Sequence, residues 1–497
     1  MLPNSMLQAS RPQYEQWSAT LTKPQLSPHA HQTPTKPYRD SAKEFLLFIK
    51  GGQAGYSALL RAIHERCPDV TVLSNIAGSY LNNRNSNSPN AGLKIGQNSR
   101  VYTVPEEKAA VIDITRDSLI YLGDLSRWRH KAHVDRQSNT PQWKKARLYY
   151  ELAYEVDPLS GLAKHQLAVL AQDDGKYFSA LASVYQSLAS AKPHPQAANN
   201  LEVLLARRLN VPINQIIPKV KPSHDQTNAV ATLRAWFLQL HVNFYRGKPF
   251  DSHNEMESEV IARIVQALKD GTNLDGTLLP MALISMAAAH VALAHAKQYQ
   301  RQENAQTYFF CLRHNVKTFK VLLEHFYASL ESQARASVSA PSNTASASPI
   351  SSAALQTIRV YTLWFSVNWT YMQKCMQDST PEPETADEIR QLWRMIAHVL
   401  NEVYVQYPLF DIPSVADYNI LVDEEESTMG FQPIQSPQSM DVWWQNGAMK
   451  SVIRRERPAA EVAEYNLVRI RDVYARVLLV ATDEVSLKRT FRPNEPY

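Results

Sequence analysis

The side chains in this chain whose types and spacing could do chemistry are mostly cationic. Between residues 121 and 150 stand Arg127, Arg129, Lys131, Arg136, Lys144, Lys145 and Arg147, against only Asp124 and Asp135. That local surplus of five equals the formal charge of the whole 497-residue chain, +5. A concentrated basic stretch fits an anionic partner such as a phosphopeptide or nucleic acid, or else a solvated helical surface. On a helix turning about 100° per residue, Arg129 lies about 200° round from Arg127, so one pocket cannot hold both. Arg129 falls beside the stripe of Leu119, Leu122 and Leu125, where its stem packs. Arg127 falls beside Ile120, Gly123 and Asp124. It can offer a planar fork to a phosphate, or close an i−3 salt bridge to Asp124. The residues alone favour the salt bridge. Gly123 leaves room for a neighbouring helix or a ligand to approach.

Other candidate chemistry is thin. The sequence has no Walker-type glycine loop, no HExxH, no nucleophile elbow and no CxxC, so the expectation is a non-enzymatic protein without cofactor or metal. The run DEEE at 423–426 reads as a solvated acidic turn before Gly430, because adjacent carboxylates cannot converge on one ion unaided. Trp443 and Trp444 read as part of a polar docked loop, and RRERP at 454–458 as a short basic cluster. Trp236, Phe237, Phe244 and Tyr245 read as helix-packing aromatics. Cys67, Cys311 and Cys375 are too scattered for a zinc site and fit a reducing compartment.

The elements that must position these groups are helical. Glycine numbers only 14 while 44% of residues are hydrophobic, which disfavours Rossmann-like, barrel and sandwich architectures. Residues 1–40 are rich in Pro, Ser, Gln and His and read as disordered. A helix is predicted from near Ser41, and 81–98 is a polar loop. Trp143, Ala146 and Tyr150 recur as Tyr177, Ala180 and Val184 at an offset of 34 residues. That is the period of TPR hairpins, with small Ala at the helix crossing and stops at Pro158 and Pro193. Further amphipathic helices follow to residue 331. A Ser/Ala-rich linker spans 332–353, and more helices run to a last one at Val462–Thr482, with PEPET an acidic break. The apolar window Leu278–Ala296 is interrupted by Pro280, His290 and His295 and suits a buried helix, so no membrane association is expected. Nor does the N-terminus read as a secretory signal.

With these residues on the page, the segment SLIYLGDLSRWRHKA at 118–132 closely resembles the Leu-Gly-Asp-Leu-x-Arg-Tyr-Arg helix of the nonsense-mediated decay and telomerase-associated adaptors, the Est/Smg family. WKKARLYYELAYEVDPLSG, HQLAVLA and PHPQAANNLE follow in the family's order. EFLLFIKGGQAGYSALLRAI upstream is similar to a helix of fungal members, as are LHVNFYRGKPF, TYFFCLRHNVKTFKVLL and DYNILVDEEESTMGFQPI downstream. The resemblance covers roughly 43–475.

It implies an all-α fold: a 14-3-3-like helical bundle with TPR-type hairpins at 41–208, then a helical-hairpin extension at 209–331 and 354–497. It implies an adaptor in nonsense-mediated mRNA decay that binds phosphoserine on an up-frameshift helicase. The alternatives are a telomerase-associated subunit on RNA or single-stranded DNA, and a general TPR scaffold. Other decay or telomerase proteins are further partners, and the location is the nucleus with shuttling to the cytoplasm. It also implies that Arg127 grips the phosphate, which tips the balance away from the salt bridge. Two positions depart from the family pattern. Trp128 replaces its tyrosine, keeping one N–H donor but losing the hydroxyl acceptor. His165 replaces the asparagine that orients the peptide, and its charge depends on pH. Lys23, in a short Pro-rich stretch, is the candidate for a further phosphate-binding lysine.

Overall fold

The computed structural model describes residues 36–67, 105–131, 142–209, 226–248, 252–339, 350–377, 383–409, 411–414, 421–435, 444–445, 448–449 and 459–482. They form two compact units, Met1–Gly175 and Lys176–Tyr497. Lys23, the 81–98 loop, Trp443 and the RRERP cluster lie outside the described residues.

The first unit holds α1 (Lys36–Arg66), α2 (Pro105–Lys131), α3 (Gln142–Val156) and α4 (Leu162–Asp173). Helix α2 packs against both α1 and α3, and α3 packs against α4. The stop at Pro158 holds: α3 ends at Val156 and α4 begins at Leu162. Within that link the Ser160 amide bonds the Asp157 carbonyl, and Ser160 Oγ accepts from the Leu162 amide. So short a connection makes its helices antiparallel neighbours. Helix α1 starts at Lys36, five residues before the predicted Ser41 and inside the stretch read as disordered. Pro37 in its first turn costs nothing there, because the first amides of a helix have no intrahelical partner.

The second unit begins with α5 (Tyr177–Leu188) and α6 (Ala197–Leu209). It continues with α7 (Gln226–Tyr245), α8 (His253–Lys269), α9 (Leu278–Tyr299), α10 (Gln302–Ser339), α11 (Ser352–Gln377), α12 (Pro383–Gln406), the short α13 (Asp423–Thr428), a 3-10 turn at Gln432–Ile434 and α14 (Ala459–Thr482). Helix α9 is long and apolar enough to cross a membrane by length and composition, and 61% of its apolar window is buried inside this unit. It packs on α5, α10 and α11. Phe237 and Phe244 are buried, but Tyr245 is 41% exposed, so three of the four helix-packing aromatics turn away from solvent at least in part.

Ala146 and Ala180, 34 residues apart, are 0% and 1% exposed, as crossing positions require. Ser190, in the link between α5 and α6, forms one isolated bridge with Phe431.

Four further readings need correction. The linker is narrower than 332–353: α10 runs through Ser339 and α11 starts at Ser352. Ala, Arg and Gln sustain a helix without a core to bury. PEPET is not wholly a break, since Pro383 occupies the first position of α12, where its missing N–H is harmless. Trp444 lies in a two-residue ribbon, Trp444–Gln445 against Ala448–Met449.

The largest correction concerns DEEE. Glu424 and Glu425 are each 1% exposed and joined to Arg359, itself 0% exposed. Arg359 Nη1 donates to Glu424 (3.0 Å), Nη2 to Glu425 (2.6 Å) and Nε to Asp472 (2.6 Å). Arg469 grips both Glu424 oxygens at 2.8 Å, and Arg476 adds a bond to Asp472. Glu424 and Glu425 are buried because guanidiniums from α11 and α14 meet them, while Asp423 stays exposed and Glu425 also caps the Val422 amide at the start of α13. Burial by itself pushes the Glu424 carboxyl up, and the charges of Arg469 and Arg359 override this and hold it at about 2.

Three outcomes follow, one in the first unit and two in the second. Replacing Ala146 with Leu in the first unit's crossing should cost about 1–3 kcal/mol by overpacking, read as a lower denaturation midpoint. The Glu424 pKa is depressed on folding, so its stabilisation is present above the unfolded value of 4.5 and is lost as pH falls toward 2. Glu424→Gln should therefore flatten acid unfolding in that window, and Arg359→Met, which strands buried carboxylates, should cost about 3–5 kcal/mol. An acid transition identical in wild type and Glu424→Gln would contradict the assignment.

Candidate anion-binding site

Helix α2 carries the candidate site, and its apolar stripe sets its orientation. Leu119, Leu122 and Leu125 are each 1% exposed. Gly123 is the point where α3 comes closest: a Cβ there would lie 2.7 Å from Tyr150 Cδ1, inside the ring's contact distance. The ring of Tyr150, 0% exposed, fills that space. Its hydroxyl donates to Asp124 Oδ1 at 2.7 Å. The same oxygen accepts from Arg127 Nη2 at 3.3 Å. Arg127 Nη1 lies 4.0 Å from Asp173 Oδ2, at the end of α4.

These groups form a chain from Tyr150 through Asp124 to Arg127, with Asp173 on the far side. Burial pushes the Asp124 carboxyl up, against the pull of Arg127 and the Tyr150 hydrogen bond. Burial also raises the Tyr150 hydroxyl, so it stays a donor. The Arg127 side chain is 13% exposed, and its buried Nε has no acceptor among the described residues. Both ion pairs are long for charge-assisted bonds, which are typically ~2.7–2.9 Å. Among the described residues the guanidinium thus keeps donor capacity unspent.

Of the other predicted site residues, Lys23 lies outside the described residues, and Trp128 and His165 are placed as follows. Trp128 packs against Phe45, Ile49 and Leu125 together with Phe48 and Tyr56, in the α1–α2 core. It points there because it is one residue, about 100°, round from Arg127. His165 on α4 is 4% exposed, too little for a ligand to meet without rearrangement. The salt bridge of Arg127 to Asp124, favoured by the residues alone, is present. Tyr150 and Asp173 were not singled out from the sequence as site residues. The space beside Gly123 was a signal for Tyr150. Asp173 gave none, because its approach depends on the α3–α4 turn. Lys144, Lys145 and Arg147 on α3 are exposed.

Taken together, the helical hairpins of the described residues place the chain among all-helical proteins of 14-3-3-like fold. The model of the Est1 DNA/RNA binding domain matches residues 146–438, more than half of the chain, and the chain belongs to this Est/Smg family. A Danio rerio nonsense-mediated mRNA decay factor SMG7 is 25% identical over 167 residues, 33% of this chain and 12% of that protein. Arabidopsis thaliana SMG7 is 38% identical over 85 residues, 17% of this chain and 8% of that protein. The chain therefore matches only a small part of the length of these relatives. A crystal structure of Est1 and Cdc13 is similar in fold, with a TM-score of 0.64 at 12% identity, covering 95% of this chain and 85% of that one.

The Gly123 contact can be tested against a control. Gly123→Ala should force the Tyr150 ring to shift and cost about 1–3 kcal/mol. Gly51→Ala in α1, where a Cβ meets nothing within 4 Å, should instead gain up to about 1 kcal/mol from helix propensity. Thermal midpoints that move together would contradict the close approach.

Proposed function

We propose that this chain is a non-enzymatic adaptor of nonsense-mediated mRNA decay, acting in the nucleus and shuttling to the cytoplasm, and that Arg127 binds phosphoserine on a helicase partner. The observation that carries the reading is the state of Arg127: paired at long range, 3.3 Å from Asp124 and 4.0 Å from Asp173, with a buried Nε that has no acceptor among the described residues. A phosphoserine brings about −1.5 to −2 charge and three acceptor oxygens, more than Asp173 offers at 4.0 Å. Binding would exchange the Asp173 pairing for a bidentate phosphate contact, while Asp124, anchored by Tyr150, keeps the fork aligned. The decay factors among the relatives support the pathway.

Titration of phosphorylated and unphosphorylated peptides tests this. Arg127→Glu should abolish phosphopeptide binding with the fold intact, and Arg127→Lys should weaken it less, keeping charge but losing the fork. Arg129→Ala should lower the melting temperature and spare binding. Wild-type affinity in Arg127→Glu would reject the mechanism.

A second reading, nucleic-acid binding, is favoured by the family description and by the exposed Lys144, Lys145 and Arg147. On single strands each neutralised phosphate steepens the salt dependence by ~0.7. If that reading holds, replacing these three with Ala should flatten the slope by about 2. No change would remove it.

A further inference from the structure

Arg127 meets two carboxylates of its own chain, and they are not equivalent. Asp124 stands one turn back on the same helix, 3.3 Å away, and its Oδ1 also accepts from the Tyr150 hydroxyl at 2.7 Å. It is tied both to its own helix and to α3. Asp173 comes from α4, 4.0 Å away, and its side chain is 24% exposed against 15% for Asp124. Of the two, Asp173 is the one an entering anion meets.

Asp173 is an unfavourable residue for the place it holds in its helix. It is the last residue of α4, Asp174 follows it, and the last turn carries no basic residue. The carboxyl end of a helix bears about half an elementary negative charge, which repels a carboxylate. Losing the charge would ease that end of α4, so the helix itself does not call for it. Its effect on Arg127 is different. A carboxylate of the same chain competes with any ligand from a high effective concentration. An aspartate or glutamate of a partner brings the same group, one charge on two oxygens, and gains nothing over it. A phosphate monoester brings about −1.5 to −2 charge and three oxygens. Selectivity of this kind needs a repulsive group as well as an attractive one. We propose that Asp173 is a specificity-determining residue of the anion site: it keeps singly charged ligands off Arg127 and gives way to a doubly charged phosphate monoester. The proposal rests on Arg127 taking phosphoserine, and adds which anions the site rejects and by what group.

The test uses the full chain. A degenerate library of nine-residue peptides with phosphoserine at the centre is selected on wild type. The best binder is then remade with serine, glutamate or the monomethyl ester of phosphoserine at the centre. The ester keeps the tetrahedral phosphorus but carries a single charge. On wild type, the glutamate and ester peptides should bind about 100-fold more weakly than the phosphoserine peptide, or weaker still. On Asp173→Asn, the same gap should close to about ten-fold or less, through tighter binding of the singly charged peptides. Asp173→Ser should do the same, and the wild-type series reads the selectivity with no variant at all. Asp174→Asn removes an equal charge one residue further along and should leave the gap within about two-fold of wild type. A phosphoserine peptide that binds wild type with no gap to its singly charged twins would overturn the proposal. So would a gap unchanged in Asp173→Asn, or one that closes equally in Asp174→Asn; in each case the phosphoserine reading stands. A selection that enriches nothing over a serine-centred library removes the phosphoserine reading, and the proposal with it.

Discussion

Tyr150 reaches Asp124 only because residue 123 carries no side chain, and much of the first unit's geometry depends on that contact. The ring lies where a Cβ would stand, fully buried, so α2 and α3 approach closely along one edge. Its hydroxyl then has one use available, the 2.7 Å bond to Asp124. With Asp124 immobilised, Arg127 one turn further along α2 is held as well. A small residue, a buried phenol, a carboxylate and a guanidinium are thus coupled in sequence. Loss of the first would release the last, since buried polar groups in such chains depend on one another.

The second unit uses the opposite device. There the helices α11, α13 and α14 are tied by buried opposite charges, with Arg359 entirely out of solvent. Such networks add little net stability over an apolar core but are costly to break on one side, so they penalise alternative packings.

Much of the architecture was legible in the sequence because helical hairpins advertise themselves locally. The 34-residue recurrence of Ala146 and Ala180 and the stop at Pro158 mark positions that the structure buries or ends as expected. The opposite faces of Arg127 and Arg129 follow from helix geometry alone. What escaped notice depends on residues distant in sequence. DEEE reads as a solvated turn until Arg359 and Arg469, 65 and 45 residues away, are brought beside Glu424. Asp173 reaches Arg127 only once the α3–α4 turn is made. The family pattern places Trp128 at the site, whereas its wheel position, about 100° round from Arg127, takes it into the α1–α2 core.

The functional reading turns on the proposal that Arg127 takes a phosphate. Its Nε–H, buried and without an acceptor among the described residues, is a direct reporter. In arginine-labelled protein, with the Arg127 resonance assigned by its loss in Arg127→Lys, the Nε–H signal should move downfield and saturate as a phosphoserine peptide is added, and stay still with the unphosphorylated twin. A signal that is unmoved while the phosphopeptide binds, or that responds equally to both peptides, would contradict the claim.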